Sequence, residues 1–508
     1  MALAMQIKNM TSGLIDRLPF HLYCFIPALT FTFFLCKWLL LSNKKLKLPP
    51  NPPKLPIIGN LHQLGRFPHR SLRSLSQKYG EYMFLYLGNK PTLVVSSATA
   101  AEHIMKKHDV TFANRPKLRS SSKILYDCND ISFNSYNEKW RQLKSICMTK
   151  LLNNKSVQTS QPIRQEEVSC LIETIKSYDG AVINMSKIFT MLFKDIICRT
   201  ALGSKYNGED DADFYPLFKE IMKVFGEVCF EARVENVRRR FDKFIEEVIQ
   251  DHQSRVNATQ VCIDHKNEVN VKDFVDVLLE IQQENCEQLS TENIKAIVLD
   301  IFIAATETTA TTLEWAMTEL IRHPRIMMKV QKEVRSIVKN NTKVTEDDLE
   351  NLKYLKAVIK ETLRLHPPGP LLIFRESSEN VKIENYDISA GTQVIVNALA
   401  IQLDSKYWQD PDDFIPERFL NNSSSMDFRG RHFQFIPFGA GRRGCPGIAY
   451  GIVNAELVLA SLVYEFNWKL PDGSEGSTLD VEESAGLTVG RRYPLMVIAT
   501  PSIPLSCY

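Results

Sequence analysis

The chain lacks several signatures that would have pointed elsewhere. Its eleven cysteines are an odd number, and no two stand in a CxxC pair. Zinc ribbons and thioredoxin-type redox sites therefore have no footing. Scattered cysteines fit a reducing compartment, where most act as small buried apolar residues. No P-loop is present, and the one GxGxxG spacing, Gly439 to Gly444, follows no strand pattern of a βαβ unit, so the chain shows no dinucleotide or nucleotide site of its own. Charge of one sign is also missing: 62 Lys and Arg against 59 Asp and Glu leave a formal net charge of +3. A nucleic-acid binder needs a basic excess to displace counterions, so nucleic acid is excluded as a partner. Internal repeats and low-complexity tracts are absent as well. With 44% hydrophobic and 24% charged residues, the 508-residue chain has the composition of a globular protein.

What is present begins with a long apolar run. Phe20 to Leu41 is interrupted only by His21 and Lys37. As a helix it is long enough to cross a hydrocarbon core of about 30 Å. A cleaved signal peptide is the weaker reading, since the run is long and shows no small-residue cleavage site. Lys44, Lys45, Lys47 and Lys54 follow the span, against Lys8 and Arg17 before it. The positive-inside rule puts the C-terminal side in the cytosol and the N-terminal tail, with the sequon at Asn9, in a lumen. Next comes LPPNPPKLPIIGN, whose five prolines make a semi-rigid spacer. The expected organisation is an anchor over 1–47, a hinge over 48–60 and a cytosolic catalytic body over 61–508.

The body reads as mainly α with a minor β part. Met83–Gly88 and Thr92–Ser97 flank Asn89-Lys90-Pro91, which predicts a hairpin. The longest helical pattern runs from about Ser290 to His323, where His323-Pro324 stops it. Asp300, Glu307 and several threonines mark it as a buried helix of a soluble body and not a second membrane span.

Four motifs carry the chemistry. The segment PFGAGRRGCPGIAYG sets Cys445 among five glycines, just before an apolar helix. Glycines there permit turns that aim backbone N–H groups inward. A helix N-terminus beside Arg442 and Arg443 is expected to lower the thiol pKa, giving a nucleophile or a metal ligand. A buried structural cysteine is the ordinary alternative. Glu361-x-x-Arg364 puts two opposite charges on one helical face, and Pro416-Glu417-Arg418-Phe419 follows. Ala304-Ala-Thr-Glu307-Thr308-Thr lies within the long helix.

Together these resemble the cytochrome P-450 family. Phe438-x-x-Gly441-x-Arg443-x-Cys445-x-Gly447 matches its haem-binding signature, and in detail the chain is similar to plant microsomal enzymes of specialised metabolism. The resemblance implies a P-450 fold, haem b held by the Cys445 thiolate, and O2 with NADPH-derived electrons as co-substrates. It implies a membrane-bound NADPH–cytochrome P-450 reductase as partner and residence on the endoplasmic reticulum membrane. Lys139, Arg141 and Arg442 are candidates for docking that partner. Arg375 and Arg443 would pair with the haem propionates, and Trp140 would donate its indole N–H to one. Lys144 stands where the family has arginine and would make a weaker contact. Glu307 and Thr308 match the acid–alcohol pair that delivers protons, while Ala305 replaces a frequent glycine. Glu361, Arg364 and Arg418 would form a buried structural triad.

Ile303, Ala304, Leu372, Ile373, Phe374 and Leu487 are expected around the substrate. All are apolar, which suits a small lipophilic molecule of terpenoid, phenylpropanoid, coumarin or aldoxime type. The implied activity is a monooxygenase; a dehydrating or rearranging relative is the enzymatic alternative. One departure stands out: Gly226-Glu-Val-Cys229 runs straight into Phe230-Glu-Ala-Arg233. About a dozen residues of a lid loop are missing there, which motivates a third reading, a haem protein of impaired activity.

Overall fold

The computed structural model describes residues 29–33, 46–206, 214–226, 231–261, 272–285, 288–339, 342–420 and 426–502. Of the expected span over 20–41, residues 29–33 are helical and the rest lies outside the described residues. The junction at 227–230, where a shortened lid loop is expected, lies outside them too. Residues 49–381 and 388–508 form one compact unit.

Helices dominate that unit, which also holds two small sheets of four and three strands; a third, two-stranded sheet pairs Val381–Ile383 with Tyr386–Ile388. The first has strand order β1-β2-β5-β4, from β1 (Tyr82–Leu87), β2 (Lys90–Val95), β4 (Arg375–Glu376) and β5 (Gln393–Val396). The second joins β3 (Val182–Asn184), β7 (Met496–Pro501) and β6 (Phe466–Lys469). The expected hairpin is β1–β2, with its turn moved to Gly88-Asn89. Gly88 takes the left-handed φ of +62° that a two-residue turn needs. Pro91 therefore lies inside β2, opposite Tyr86, one residue before β2 begins its parallel pairing with β5 at Thr92. Its missing N–H thus disturbs no central ladder bond.

The long helix spans Thr291–Arg322. Ser290 caps it in a capping box with Asn293, and the chain leaves it at His323 before Pro324. A second apolar helix, Ile448–Glu465, packs beside it: a Cβ on Gly451 would stand 4.0 Å from Thr309 Oγ1. Both are long and apolar enough to cross a bilayer. However, 72% and 61% of their most apolar stretches are buried inside the fold, as core helices are. The helix Lys353–Leu365 carries Glu361 and ends against the long helix, where the His366 ring stacks on Trp315 at 4.1 Å.

Candidate active site

Accessibility along the long helix marks the site. From Asn293 to Ile321 every residue is buried except Ile303, Ala304, Ala305, Glu307 and Thr308. Exposed alanine in the middle of a core helix means that this turn faces a chamber. The start of the Ile448–Glu465 helix behaves alike: Ala449 is exposed and Ile452 and Val453 are half-exposed, while Asn454 to Val463 are buried.

The cysteine loop is built to present a sulfur to that space. Gly441 has φ +69°, and a Cβ there would come 2.2 Å from the Met105 carbonyl oxygen, so no other residue fits. The Cys445 N–H donates to the Phe438 carbonyl (2.9 Å), closing the loop three residues before the helix starts. Phe438 braces it edge-on against Phe428 at 5.7 Å. The space a Cβ on Gly447 would occupy is 4.0 Å from Cys445 Sγ. Cys445 is free and exposed, yet burial is the main influence on its thiol. That combination describes a side chain lining an internal chamber. Burial raises the thiol pKa; the Gly447 N–H and the Lys144 charge pull it back only in part. This corrects the expectation of a lowered thiol pKa from Arg442 and Arg443. Arg442 turns away to Asp109 Oδ2 (2.8 Å), and Arg443 is spent on backbone carbonyls. A buried thiol of this kind becomes a thiolate by binding a cation, as a metal ligand does.

Around the loop lie three buried guanidinium groups. Arg443 donates to the carbonyls of Ala113 (2.7 Å), Ile131 (3.1 Å) and Asn134, and sits 4.2 Å over the Trp140 ring. Arg375 donates to Ala440 O (2.8 Å) and faces Asp109 at 3.4 Å. Arg115, which stands in no recognisable motif, donates to the carbonyls of Ser132, Ile373 and Phe374. Each is held below the ordinary arginine range, first by burial; Arg443 and Arg375 add repulsion at Arg115, and Arg375 adds it at Arg443, whose pKa is pulled to about 10. Such a cluster is relieved by anionic carboxylates placed among it, which is the chemistry of the two haem propionates. The donors and the sulfur thus fit haem b.

Other expected contacts differ in detail. The Trp140 indole N–H donates to the Ile131 carbonyl at 2.9 Å, so its partner is backbone and its ring supports Arg443. Lys144 donates to the Arg442 carbonyl, and burial with Arg443 nearby lowers its pKa to about 8.

On the opposite wall, Thr308 Oγ1 donates to Ala304 O at 2.5 Å, a back-bond that leaves its lone pairs free to accept. Burial raises the Glu307 pKa, against a hydrogen bond from Thr488. The segment 371–374 reaches the cysteine loop through Leu372, whose Cδ1 lies 3.6 Å from a Cβ placed on Gly439. Ile303, Leu372, Ile373 and Phe374 are half-buried and Leu487 is 40% exposed. Ile303 and Phe374 also pack on core clusters, so part of each is ordinary core.

Glu361, Arg364 and Arg418 come together below the site. Arg364 forks onto Glu361 at 2.7 and 2.8 Å, and Arg418 Nε reaches Glu361 Oε1 at 3.0 Å. Arg364 spends its remaining donors on the carbonyls of Gln402, Pro411 and Asp413.

Known proteins resemble this chain over most of its length. The family model described as Cytochrome P450 matches residues 49–494. Cytochrome P450 736A117 of Prunus mume is 43% identical, covering 98% of this chain and 98% of the relative. Phenylacetaldehyde oxime monooxygenase CYP71AN24 of the same species is 43% identical over 91% of each. Norfluorocurarine oxidase of Strychnos sp is 43% identical over 94% of this chain and 97% of that one. A solved zebra fish cytochrome P450 with abiraterone superposes with a TM-score of 0.74 at 25% identity, covering 86% of this chain and all of that one.

Proposed function

The chain belongs to the cytochrome P450 family, an oxidoreductase of monooxygenase type with haem b as cofactor, and from that premise we propose a membrane-anchored enzyme that oxygenates a small lipophilic plant metabolite. The observation that carries this reading is the placement of Cys445. It lies in a closed glycine loop that holds Arg443 and accepts a hydrogen bond from Arg375, and this reading sets it across a chamber from the accessible turn Ile303–Thr308. Bound there through a thiolate, haem would supply the oxidising chemistry, since NADPH-derived electrons drive reductive cleavage of O2 into water and one oxidising equivalent.

The residues divide the remaining work. Cys445 Sγ holds the iron, with the Gly447 N–H steadying its negative charge. Arg115, Arg375 and Arg443 hold the propionates, with Trp140 and Lys144 supporting Arg443. Phe438 shields the sulfur from water. Glu307 takes up protons and Thr308 Oγ1 accepts a hydrogen bond that positions them over the chamber. Ile303, Ala304, Leu372, Ile373, Phe374 and Leu487 enclose the substrate by shape. Two relatives bear names of small plant metabolites, phenylacetaldehyde oxime and norfluorocurarine. Among the lipophilic classes open to this site, they support an aldoxime or another small metabolite of similar size.

Residues 1–47 serve as the anchor in the endoplasmic reticulum membrane and 48–60 as the hinge, with 61–508 in the cytosol. Electrons arrive from a membrane-bound reductase at the cysteine side, where Arg141 and Arg442 are exposed. The test is incubation of membranes bearing the full chain with purified reductase and a panel of lipophilic plant metabolites. Products that require both NADPH and O2 support the reading. Conversion that proceeds without either assigns the chain to dehydration or rearrangement instead.

A further inference from the structure

A cavity of about 160 Å³ lies between the first turn of the Met185–Leu202 helix, the middle of the long helix and the loop 484–491. That space takes about five waters at liquid density. Its lining is polar: the hydroxyls of Ser186, Thr311 and Thr488 stand beside Glu307, Glu314 and Arg491. Core cavities are ordinarily apolar and dry; one lined by two carboxyl groups is built for water.

Glu307 and Glu314 are two turns apart on one helix face, about 10 Å along the axis. They are too distant for a direct hydrogen bond and are joined by the cavity they share. Ser186 donates to Glu314 Oε1 and accepts from the Leu495 N–H at 2.8 Å. Ser186 and Thr190, which also lines the cavity, are partly exposed, so Glu314 sits toward the outer end. Glu307 directly precedes Thr308, within the accessible turn Ile303–Thr308.

The groups facing Glu314 are few. Ser186 comes from the Met185–Leu202 helix, Arg491 and the Leu495 N–H from the C-terminal segment, and Thr311 and Glu307 from its own helix. Arg491 is partly engaged elsewhere, donating to the carbonyls of Asp480 (2.5 Å) and Tyr493 (3.3 Å). Burial therefore prevails, and the pKa of Glu314 is raised like that of Glu307. Both exchange protons closer to neutral pH than exposed glutamates do.

We propose that this cavity is the proton entry of the enzyme and that Glu314 is its outer relay, returning protons to Glu307 through water. The inference rests on the monooxygenase reading and deepens it. A solvent proton adds to the Glu314 carboxylate, leaves it for a cavity water, and passes to the Glu307 carboxylate. No electron moves, and both carboxyl groups regain their starting state after each proton delivered.

The test compares full-length wild type, Glu314→Gln and Glu314→Asp in membranes with reductase. Glutamine keeps the size and an acceptor for Ser186 but cannot carry a proton. The expected variant retains the reduced carbon monoxide band and loses at least about tenfold in coupled turnover. It also shows a larger solvent deuterium isotope effect and more peroxide per NADPH, and Glu314→Asp recovers most of the rate. Infrared difference spectra of the resting protein against pH should show a protonated-carboxyl band that Glu314→Gln removes. Equal turnover, isotope effect and peroxide yield in wild type and Glu314→Gln overturn the relay. So does a slow variant whose isotope effect is unchanged, because that is structural damage. If Glu314→Gln fails to keep haem, Thr311→Val and Thr488→Val take its place, and an unchanged isotope effect in both overturns the relay. A wild type without NADPH- and O2-dependent turnover removes the monooxygenase reading itself, whereas an active wild type matched by Glu314→Gln removes the relay alone.

Discussion

Two groups of buried arginines lie within this fold and have opposite surroundings. Arg364 and Arg418 converge on Glu361, with Arg364 and Glu361 fully buried and the remaining donors given to backbone carbonyls. Arg115, Arg375 and Arg443 lie beside one another, also bonded to carbonyls, but Asp109 alone of the nearby carboxylates pairs with one of them. The first group shares one carboxylate between its two arginines, has its guanidinium donors bonded within the protein, and depends on nothing outside it. The second becomes favourable when further negative charge enters it. The same residue type therefore serves as architecture in one place and, on the function proposed above, as an anion receptor in the other, and the difference lies in the partners.

Removing the acid of the first group should have the largest effect. Glu361→Leu strands two guanidinium groups beneath the site, at a cost of roughly 3–5 kcal/mol. Thermal unfolding should show an early transition, and no haem-loaded protein should be recovered. A variant that folds and binds haem normally would mean that the two groups are not different in kind.

A buried carboxyl without an arginine sharpens the contrast. Burial pushes the Glu456 pKa up to about 7, although Lys356 and Lys360 pull it down. Below the ordinary glutamate range both folded and unfolded chains keep that proton, and its contribution to stability is complete. As pH rises the unfolded chain releases the proton first, so the contribution is lost by the time pH passes about 7. Glu456→Gln should therefore match wild type near pH 4 and exceed it at pH 8, by up to about 3 kcal/mol. Denaturant titrations at the two pH values measure this.

Arg115→Met tests the second group. It removes one of three like charges, so the haem-free protein should keep its melting temperature within a few degrees. Haem retention should fall by roughly ten- to a hundredfold, the worth of about 1.5–3 kcal/mol for a hydrogen bond to a charged group. Transfer of haem to an apo-globin acceptor gives the rate. Loss of apo stability without faster haem loss would make the trio structural.

The smallest change is expected across the chamber, where the reacting wall is largely uncharged. Thr308→Ala should leave substrate binding intact and shift NADPH consumption a few-fold toward peroxide. An unchanged ratio of product to NADPH would reduce the hydroxyl to its back-bond with Ala304.

What could be read from the sequence follows the length over which each feature is encoded. The cysteine loop is contiguous, so Gly441, Cys445 and Gly447 announce themselves through spacing alone. The long helix is legible at both ends because Ser290 and Pro324 are local signals. The triad is legible because each of its two pieces is a short motif. Arg115 carries no such mark; its role arises only where segments near 115, 375 and 443 meet. The same limit explains the thiol, since Arg442 and Arg443 adjoin Cys445 in sequence while their charges are directed to Asp109 and to backbone. The Trp140 indole finds its carbonyl in the loop before its own helix, and the polar cavity draws its walls from three distant segments.

The central claim is that Cys445 is the thiolate ligand of a haem held by this loop. The most direct measurement is the reduced carbon monoxide difference spectrum of wild type beside Cys445→Ser. Wild type should give the red-shifted Soret band of a thiolate-bound haem, and Cys445→Ser should lose that band while the protein is still expressed. A red-shifted band that survives in Cys445→Ser would contradict the account.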